Sequence, residues 1–594
     1  MRVRIICLIV LFLLPSTTPV TADWSHNPTV NNPVCTTTTD QFSPEVVSDG
    51  QGGAILAWSE GSPDIRVEIR FQRIDAEGTL LWPTDGVPVG GVLMDGFGSI
   101  YQVADGAGGA IVAWTDDRSG DHVVYAQRVD AGGNICWPAG GIAVSDGSGE
   151  QVCSDIAADG AGGAIISWRD YRWLNYDVRV QRVDAAGNLV WAGDGVMACV
   201  EPSSQMGSRV MGNGSGGATA IWNDYRNGAD VDLYAQRVDA GGNVQWAPDG
   251  VIVVSAAGDQ RSAGLAGDGS GGAIVTWEDL RSVDADIYAQ RIDIDGATLW
   301  PAGGVIVCAE ADDQLAPRLV SDGFGGAVII WDDWRWLNLD IRGQRIDADG
   351  TLLWEADGLM ICVEPSSQIL RCPLLATDDG GTVVTWSDVR TSSNSRDVYA
   401  QRVSGGGYVQ WQPDGIPVCT LPEVQQVDGI VPDGSGGVII GWNDNRSGDN
   451  YDIYAQQVDL DGLLGGPVPP PQMVAGSLTC SPGAGTVPFT TWMTLSLENL
   501  NTSYIRRVAG HIDVFLASGT GMFPNWRTGF TNIDPDGSYD ASWPVNIPAL
   551  GSMIGANRFE LHAMDVTPQP YNIFPFPPSG STDSDTCVVY GIAP

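Results

Sequence analysis

Along most of the chain, short apolar runs and alternating runs follow one another in a fixed order. Ala273-Ile-Val-Thr-Trp277 is apolar almost throughout, as a strand covered on both faces would be. Asp286-Ile-Tyr-Ala-Gln-Arg-Ile292 then alternates with period two. Turn-forming clusters bracket both runs, Asp268-Gly-Ser-Gly-Gly272 before and Asp293-Ile-Asp-Gly296 after. No stretch carries the helical period. The pattern predicts four strands per unit. The first leads into Asp-Gly-x-Gly-Gly, as in Pro317 to Ser321. The second is the apolar run and the third the alternating run. The fourth carries a second tryptophan and ends in Gly-Val-x-Val-Cys, as in Leu299 to Cys308.

The first tryptophan recurs at Trp58, Trp114, Trp168, Trp222, Trp277, Trp331, Trp386 and Trp442, in steps of 54 to 56 residues. The second recurs at Trp82, Trp137, Trp191, Trp246, Trp300, Trp354 and Trp411. Four short strands per unit, eight times over, predict an all-β, eight-bladed β-propeller whose tryptophans fill the space between blades. The eighth unit stops at Asp461-Gly-Leu-Leu464 without its second tryptophan or its final strand. Asn32-Pro33-Val34-Cys35, followed by Gln41 and Pro44, matches Val305 to Cys308 followed by Gln314 and Pro317. A strand near 33–36 is therefore predicted to complete the last blade, which removes open sheet edges. On this reading residues 23–464 form the propeller and the Pro-rich 465–472 a stiff linker. Residues 473–594, with alternating runs such as Trp492 to Leu497 and His511 to Leu516, form a small β-sandwich.

Composition narrows the chemistry. Of 594 residues, 43% are hydrophobic, enough for packed cores, and the 77 glycines suit a fold with many tight turns. Residues 1–22 read as a signal peptide, from Arg2 and Arg4, the apolar Ile5 to Leu14, and Val20-Thr21-Ala22. The apolar run is too short to span a bilayer, and no later segment is long enough. The expectation is a secreted, extracellular or cell-surface protein with no membrane span, and a monomer. A net charge of −42 argues against nucleic acid and anionic lipid as partners. The sequence contains no lysine, which excludes Schiff-base and P-loop chemistry. His26, His122, His511 and His562 are scattered, without zinc or triad spacing. Eleven cysteines are present and Cys7 falls in the signal peptide. In an exported chain disulfides are plausible, with Cys480–Cys587 the best pair and Cys362–Cys372 a second candidate. Cys35, Cys199, Cys308 and Cys419 also read as small buried hydrophobes at a repeating strand position.

The units, with Trp-x-Asp-x-Arg, then Asp-Leu-Tyr-Ala-Gln-Arg-Val-Asp and Gly-Asn before Trp, as in Asp232 to Trp246, resemble uncharacterised secreted bacterial proteins built of tandem repeats. The resemblance covers residues 33–464 and implies a fold and no reaction. Val183-Asp-Ala-Ala-Gly187 before Trp191 is also similar to the tryptophan-docking motif of eight-bladed quinoprotein dehydrogenases, one residue short. The adjacent cysteines of those enzymes have no counterpart, so the likeness implies shared architecture.

Trp-x-Asp-x-Arg is the most repeated polar motif, at Asp116/Arg118, Asp170/Arg172, Asp224/Arg226, Asp279/Arg281, Asp333/Arg335, Asp388/Arg390 and Asp444/Arg446. Near-identical copies point to a structural pair bracing the hairpin of strands two and three. The same holds for the glutamine recurring as Gln290 and its equivalents. Function is better sought where units differ. Trp168, Trp173, Cys199, Glu201 and Gln205 recur 163 residues later as Trp331, Trp336, Cys362, Glu364 and Gln368. Strands alternate direction, so the loop between strands two and three shares a face with the linker to the next blade. Trp173, Asn175 and Glu201, with Trp336, Asn338 and Glu364, are the candidate ligand-binding residues, suited to stacking on a sugar or gripping a peptide. No cofactor is expected. Asp293-Ile-Asp-Gly296, Asp347-Ala-Asp-Gly350 and Asp534-Pro-Asp-Gly537 are partial matches to calcium loops, but turn chemistry explains them. The leading expectation is a binding protein for glycan or protein, without a catalytic signature. The alternatives are a carbohydrate-active enzyme on a propeller scaffold, with Glu60, Glu201 and Glu364 as imaginable carboxylates, and a purely structural surface component.

Overall fold

The computed structural model describes residues 24–465, apart from 63–64, 91–98, 173, 336–337, 371–372 and 392–394. Side chains of 62 and 65–67 are also outside the description, and beyond 465 only strand backbone is described. The chain divides into two compact units, Met1–Gly466 and Pro467–Pro594.

The first unit is a ring of eight antiparallel sheets, one per repeat. Blade five shows the plan. Gln260–Gly267 lies nearest the axis, then Ala273–Asp279, Asp286–Ile292 and, outermost, Val305–Cys308. The axial strands of successive blades run side by side around the ring. Blade seven is the irregular one, its axial edge made of Gln368–Ile369 and Leu375–Ala376, both paired with Thr382–Asp388.

The core lies between blades. Ile274, Ile287, Ala289, Trp300, Val307 and Cys308 of blade five pack on Ala327, Ile329, Trp331 and Ile346 of blade six. All eight first tryptophans are completely buried. Each second strand is apolar at nearly every position because both of its faces meet a neighbouring blade. Glycine is required where the chain passes the ring edge of these indoles. Gly304 has φ +87°, and a Cβ there would come within 2.5 Å of the Trp277 ring.

The fourth strand differs from the expectation. Only Val305–Cys308 is strand, and Trp300 stands in the turn before it. The reason is a docking contact: the Trp300 indole N–H donates to the Ala348 carbonyl of the next blade at 3.0 Å. Its backbone N–H goes to Gln290 Oε1, also at 3.0 Å. The indole bridges two blades, and a continuous strand would point it elsewhere.

Asn32–Cys35 is the outermost strand of blade eight, antiparallel to Asp452–Val458. The N-terminal segment supplies more than this strand. Trp24 donates its indole N–H to the Ala76 carbonyl of blade one at 2.8 Å and packs against Gly78. Gln456 donates to the Ser25 carbonyl at 2.6 Å, as Gln401 does to Gln412 after Trp411. Trp24 is thus the second tryptophan of blade eight, delivered from the other end of the chain. Sequence reading missed it because it stands eleven residues before Cys35, where the other blades have eight, as from Trp300 to Cys308.

The Cys362–Cys372 pairing is corrected. Cys362 is a free, buried thiol, and Cys372 lies outside the described residues. The Cys362 sulfur accepts from Arg390 Nη2 at 3.3 Å and donates to the Asp414 carbonyl at 3.6 Å. The same arginine contact recurs at Cys199 and Cys308, at 3.3 and 3.2 Å. The thiol serves as an acceptor for the arginine of the following blade, and burial raises its pKa to about 12. Among the described residues Cys35, Cys136, Cys153, Cys199, Cys308 and Cys419 are likewise free.

The second unit contains two antiparallel sheets. In one, Ser538–Ile547, Phe489–Glu498, Ala475–Ser481 and Cys587–Val589 lie in that order. In the other, Arg506–Phe515 pairs with Arg558–Asp565 and with the short Trp526–Arg527 and Thr531–Ile533. Cys480 and Cys587 stand on adjoining strands, and their side chains lie outside the described set. Among the described residues no helix is long and apolar enough to cross a membrane.

Candidate functional site

The repeated Trp-x-Asp-x-Arg motif closes on itself. In blade five Trp277 donates its indole N–H to Asp279 Oδ2 at 2.8 Å. Asp279 Oδ1 accepts from the Arg281 backbone N–H at 3.0 Å and from its Nε at 2.7 Å. The Arg281 guanidinium lies over the Tyr288 ring, 4.1 Å from its centroid. Asp279 is fully buried, and both of its oxygens are committed within the hairpin. Asp116, Asp224, Asp388 and Asp444 repeat the arrangement. These groups fasten the hairpin and are not presented to a ligand.

Blades three and six depart from this plan. Opposite the first tryptophan, where five blades have tyrosine, they place Arg179 and Arg342; blade one has Arg70. Arg179 is buried and pairs with Asp194 at 2.9 Å and Asp170 at 3.2 Å. Arg342 lies 3.7 Å from Asp333, and burial with the neighbouring Arg335 lowers its pKa. Next to these arginines, Asn175 donates to Asp177 Oδ1 at 2.9 Å and to the Glu201 carbonyl at 3.1 Å. Asn338 does the same with Asp340 at 2.6 Å and the Glu364 carbonyl at 3.2 Å. Loop and linker therefore do share one face in both blades. Burial pushes the Asp177 and Asp340 carboxyls up to about 6, against the hydrogen bond from each asparagine. Glu201 and Glu364 are half-buried, and the Glu364 carboxylate stands 3.9 Å from Arg390. Trp173 and Trp336 lie outside the described residues. The structure brings Asn175 to the Glu201 linker and Asn338 to the Glu364 linker. Blades four and five stand between the two sets.

A second site, which sequence reading missed, lies on the axial strands. One register position there carries different chemistry from blade to blade. It is the residue paired with the one preceding the first tryptophan. Glu45 faces Ala57, Tyr101 faces Ala113, Asp155 faces Ser167 and Arg209 faces Ile221. Gly264 faces Thr276, Arg318 faces Ile330 and Gly429 faces Gly441. Glu45, Tyr101, Asp155 and Arg209 act on one another across the ring. Burial, reinforced by Asp428 of blade eight and Asp155 of blade three, pushes the Glu45 carboxyl up to about 8, opposed by Arg209 of blade four. Burial also raises Asp155, again opposed by Arg209, and Asp155 Oδ2 accepts the Val210 backbone N–H at 2.9 Å. Burial pushes the Tyr101 phenol up to about 12. A signal existed in the sequence: six of the positions follow by four residues a glutamine or its counterpart, as Glu45 follows Gln41 and Arg209 follows Gln205.

Among the described residues no group of three or more His, Cys, Asp or Glu side chains gathers as a metal site. Asp293 Oδ1 accepts the backbone N–H groups of Asp295 and Ala297, and Asp347 Oδ1 those of Asp349 and Thr351. Both calcium-like sequences are thus turns closed by their own first aspartate. The third, at Asp534, lies outside the described residues.

No family model matches this chain, and no curated protein does. Among solved structures, the chain is similar to the Penicillium chrysogenum alpha-L-arabinanase complexed with arabinobiose, at 13% identity and TM-score 0.30, covering 61% of this chain and 94% of that one. It is similar to the alpha-L-arabinofuranosidase of Fusarium graminearum at 12% identity and TM-score 0.30, covering 61% and 93%. It is also similar to the acylaminoacyl peptidase of Pyrococcus horikoshii at 10% identity and TM-score 0.33, covering 66% and 57%. At these scores the likenesses bear on neither activity nor substrate.

Proposed function

We propose that this is an exported, monomeric propeller that binds a glycan or protein through its loop-bearing face. The contact surface comprises Trp173, Asn175 and Glu201 of blade three, and Trp336, Asn338 and Glu364 of blade six. The observation that supports this reading is the pair of asparagine bridges, Asn175 to the Glu201 carbonyl and Asn338 to the Glu364 carbonyl. Each asparagine is held against its linker in the same way, which preorganises Asn175 and Asn338 for binding. The test is a glycan array and a pull-down with the Trp173→Ala/Trp336→Ala double variant. Binding is expected to fall by an order of magnitude or more, as for buried aromatic anchors. Undiminished binding overturns the assignment.

The alternative is a carbohydrate-active enzyme, and one observation favours it. On the axial strands, the Glu45 carboxyl is pushed up to about 8 while Asp428 of blade eight and Asp155 of blade three act on it. A carboxyl held protonated beside other carboxyls is one half of the acid and base pair a glycosidase uses. Release of sugars from a polysaccharide panel, abolished by Glu45→Gln, would replace the binding reading with this one.

A further inference from the structure

The axial position does not belong to the loop-bearing face, and its chemistry is divided by blade. Blades one and three bring Glu45 and Asp155, blade two brings Tyr101, and blades four and six bring Arg209 and Arg318; blade eight places Gly429 there, with Asp428 beside it. Among the described residues neither Glu45 nor Arg209 has a hydrogen-bond or ion-pair partner, although Arg209 acts on Asp155 and Asp155 on Glu45. Several polar groups of the outer layers are engaged. Asp279, Asp268 and Gln290 all have their hydrogen bonds made within the fold. An arginine and a carboxyl left unengaged on the strands nearest the axis are available to a bound molecule.

We propose that the axial ring is a second ligand site, independent of the loop face, which takes a carboxylated sugar: Arg209 with Arg318 receive the carboxylate, and Glu45, Asp155 and Asp428 bind the hydroxyl groups. Arginine offers paired N–H donors that match a carboxylate. Carboxylates on the opposite blades accept from sugar hydroxyls, and the Tyr101 ring supplies an apolar wall for C–H groups. The overall charge of −42 would repel an anionic ligand at long range. The ring itself is the exception. Arg209 acts on both Asp155 and Glu45, and burial keeps the Glu45 carboxyl protonated at neutral pH. A protonated Glu45 both donates and accepts, and adds no negative charge beside the ligand. The groups that act on it are Asp428, Asp155 and Arg209, each from a different blade.

The experiment is calorimetry on the full chain at pH 6.5 with a triuronate, the matching neutral hexose trisaccharide, and succinate as a carboxylate without a sugar. The triuronate is expected to bind and the other two to bind at least about tenfold more weakly, the value of one charge-assisted contact. Arg209→Ala should weaken triuronate binding on the order of 10- to 100-fold. Arg209 is exposed, so folding should survive, and Arg209→Met with an unchanged melting curve serves as the control. Glu45→Gln should lack the parent's loss of affinity above pH about 8. The Trp173→Ala/Trp336→Ala variant should bind the triuronate normally, which separates this site from the loop face. No triuronate binding at millimolar concentration overturns the proposal, as does unaltered binding in Arg209→Ala. Equal binding of succinate overturns the sugar assignment. Loss of triuronate binding in the double tryptophan variant places the ligand on the loop face instead.

Discussion

The outer layers of the ring and its axial strands are built from one repeat, yet they treat variation in opposite ways. In the outer layers, the Asp279-type carboxylate, the Gln290-type amide and the Trp300-type indole each have their hydrogen bonds made within or between blades. Changing one leaves a buried donor or acceptor without its partner, at a cost of about 1–3 kcal/mol each time. The copies therefore stay alike. On the axial strands Glu45 and Arg209 make no side-chain hydrogen bond among the described residues. Glutamate, tyrosine, aspartate, arginine and glycine occur there in turn. In a repeat ring, sameness marks the groups that hold the fold, and difference marks the groups it can spare for a ligand.

The contrast can be broken at its strongest point first. Deleting residues 24–35 removes the docked Trp24 and exposes the edge of Asp452–Val458. The largest stability loss is expected here, with aggregation through the open edge. Trp24→Ala alone should cost about 3–5 kcal/mol, read from a denaturant midpoint. A change below about 1 kcal/mol would mean that closure rests on the strand alone.

A middle-sized effect compares the two layers directly. Asp279→Ala leaves the buried Trp277 indole N–H without its acceptor and frees Arg281 from its carboxylate. A loss of about 2–3 kcal/mol is expected, against about 0.5 kcal/mol or less for Arg209→Ala. Equal losses in the two variants would erase the distinction between holding and spare groups.

The smallest effect is in pH dependence. The Glu45 carboxyl is raised to about 8 in the folded chain, above its ordinary value near 4.5. The stability linked to it is fully present below pH about 4.5 and is lost as pH rises through about 8. Melting temperatures of the parent and of Glu45→Gln, measured from pH 5 to 9, should diverge in that window, the variant falling less. Parallel curves would show that Glu45 ionises without hindrance and would remove the basis for treating it as a neutral group.

Much of this was legible before any coordinates. Each apolar second strand and each alternating third strand announces itself locally, because burial on two faces or one sets the residue pattern directly. The start of the fourth strand differs because the docking of Trp300 on Ala348 is a contact with the next blade, and nothing between Leu299 and Cys308 records it. Trp24 escaped notice for a similar reason: its partner is Ala76, in the blade that follows the closure. The pairing of Cys362 with Cys372 was inferred from their flanking one linker, whereas the Cys362 thiol is engaged by Arg390 of the following blade. The axial residues left a trace, four places after the recurring glutamine, but read one unit at a time it shows only a variable residue.

By itself, then, the sequence determined the period, the number of blades, the two buried tryptophan series and the turns between strands. These depend on bonds and burial within one unit or between neighbours that repeat alike. Only the tertiary structure decided which residues come together. Glu45, Asp155, Arg209 and Asp428 belong to four different blades, and they act on one another because the ring closes. Closure is a property of all eight units at once, and no single repeat carries it.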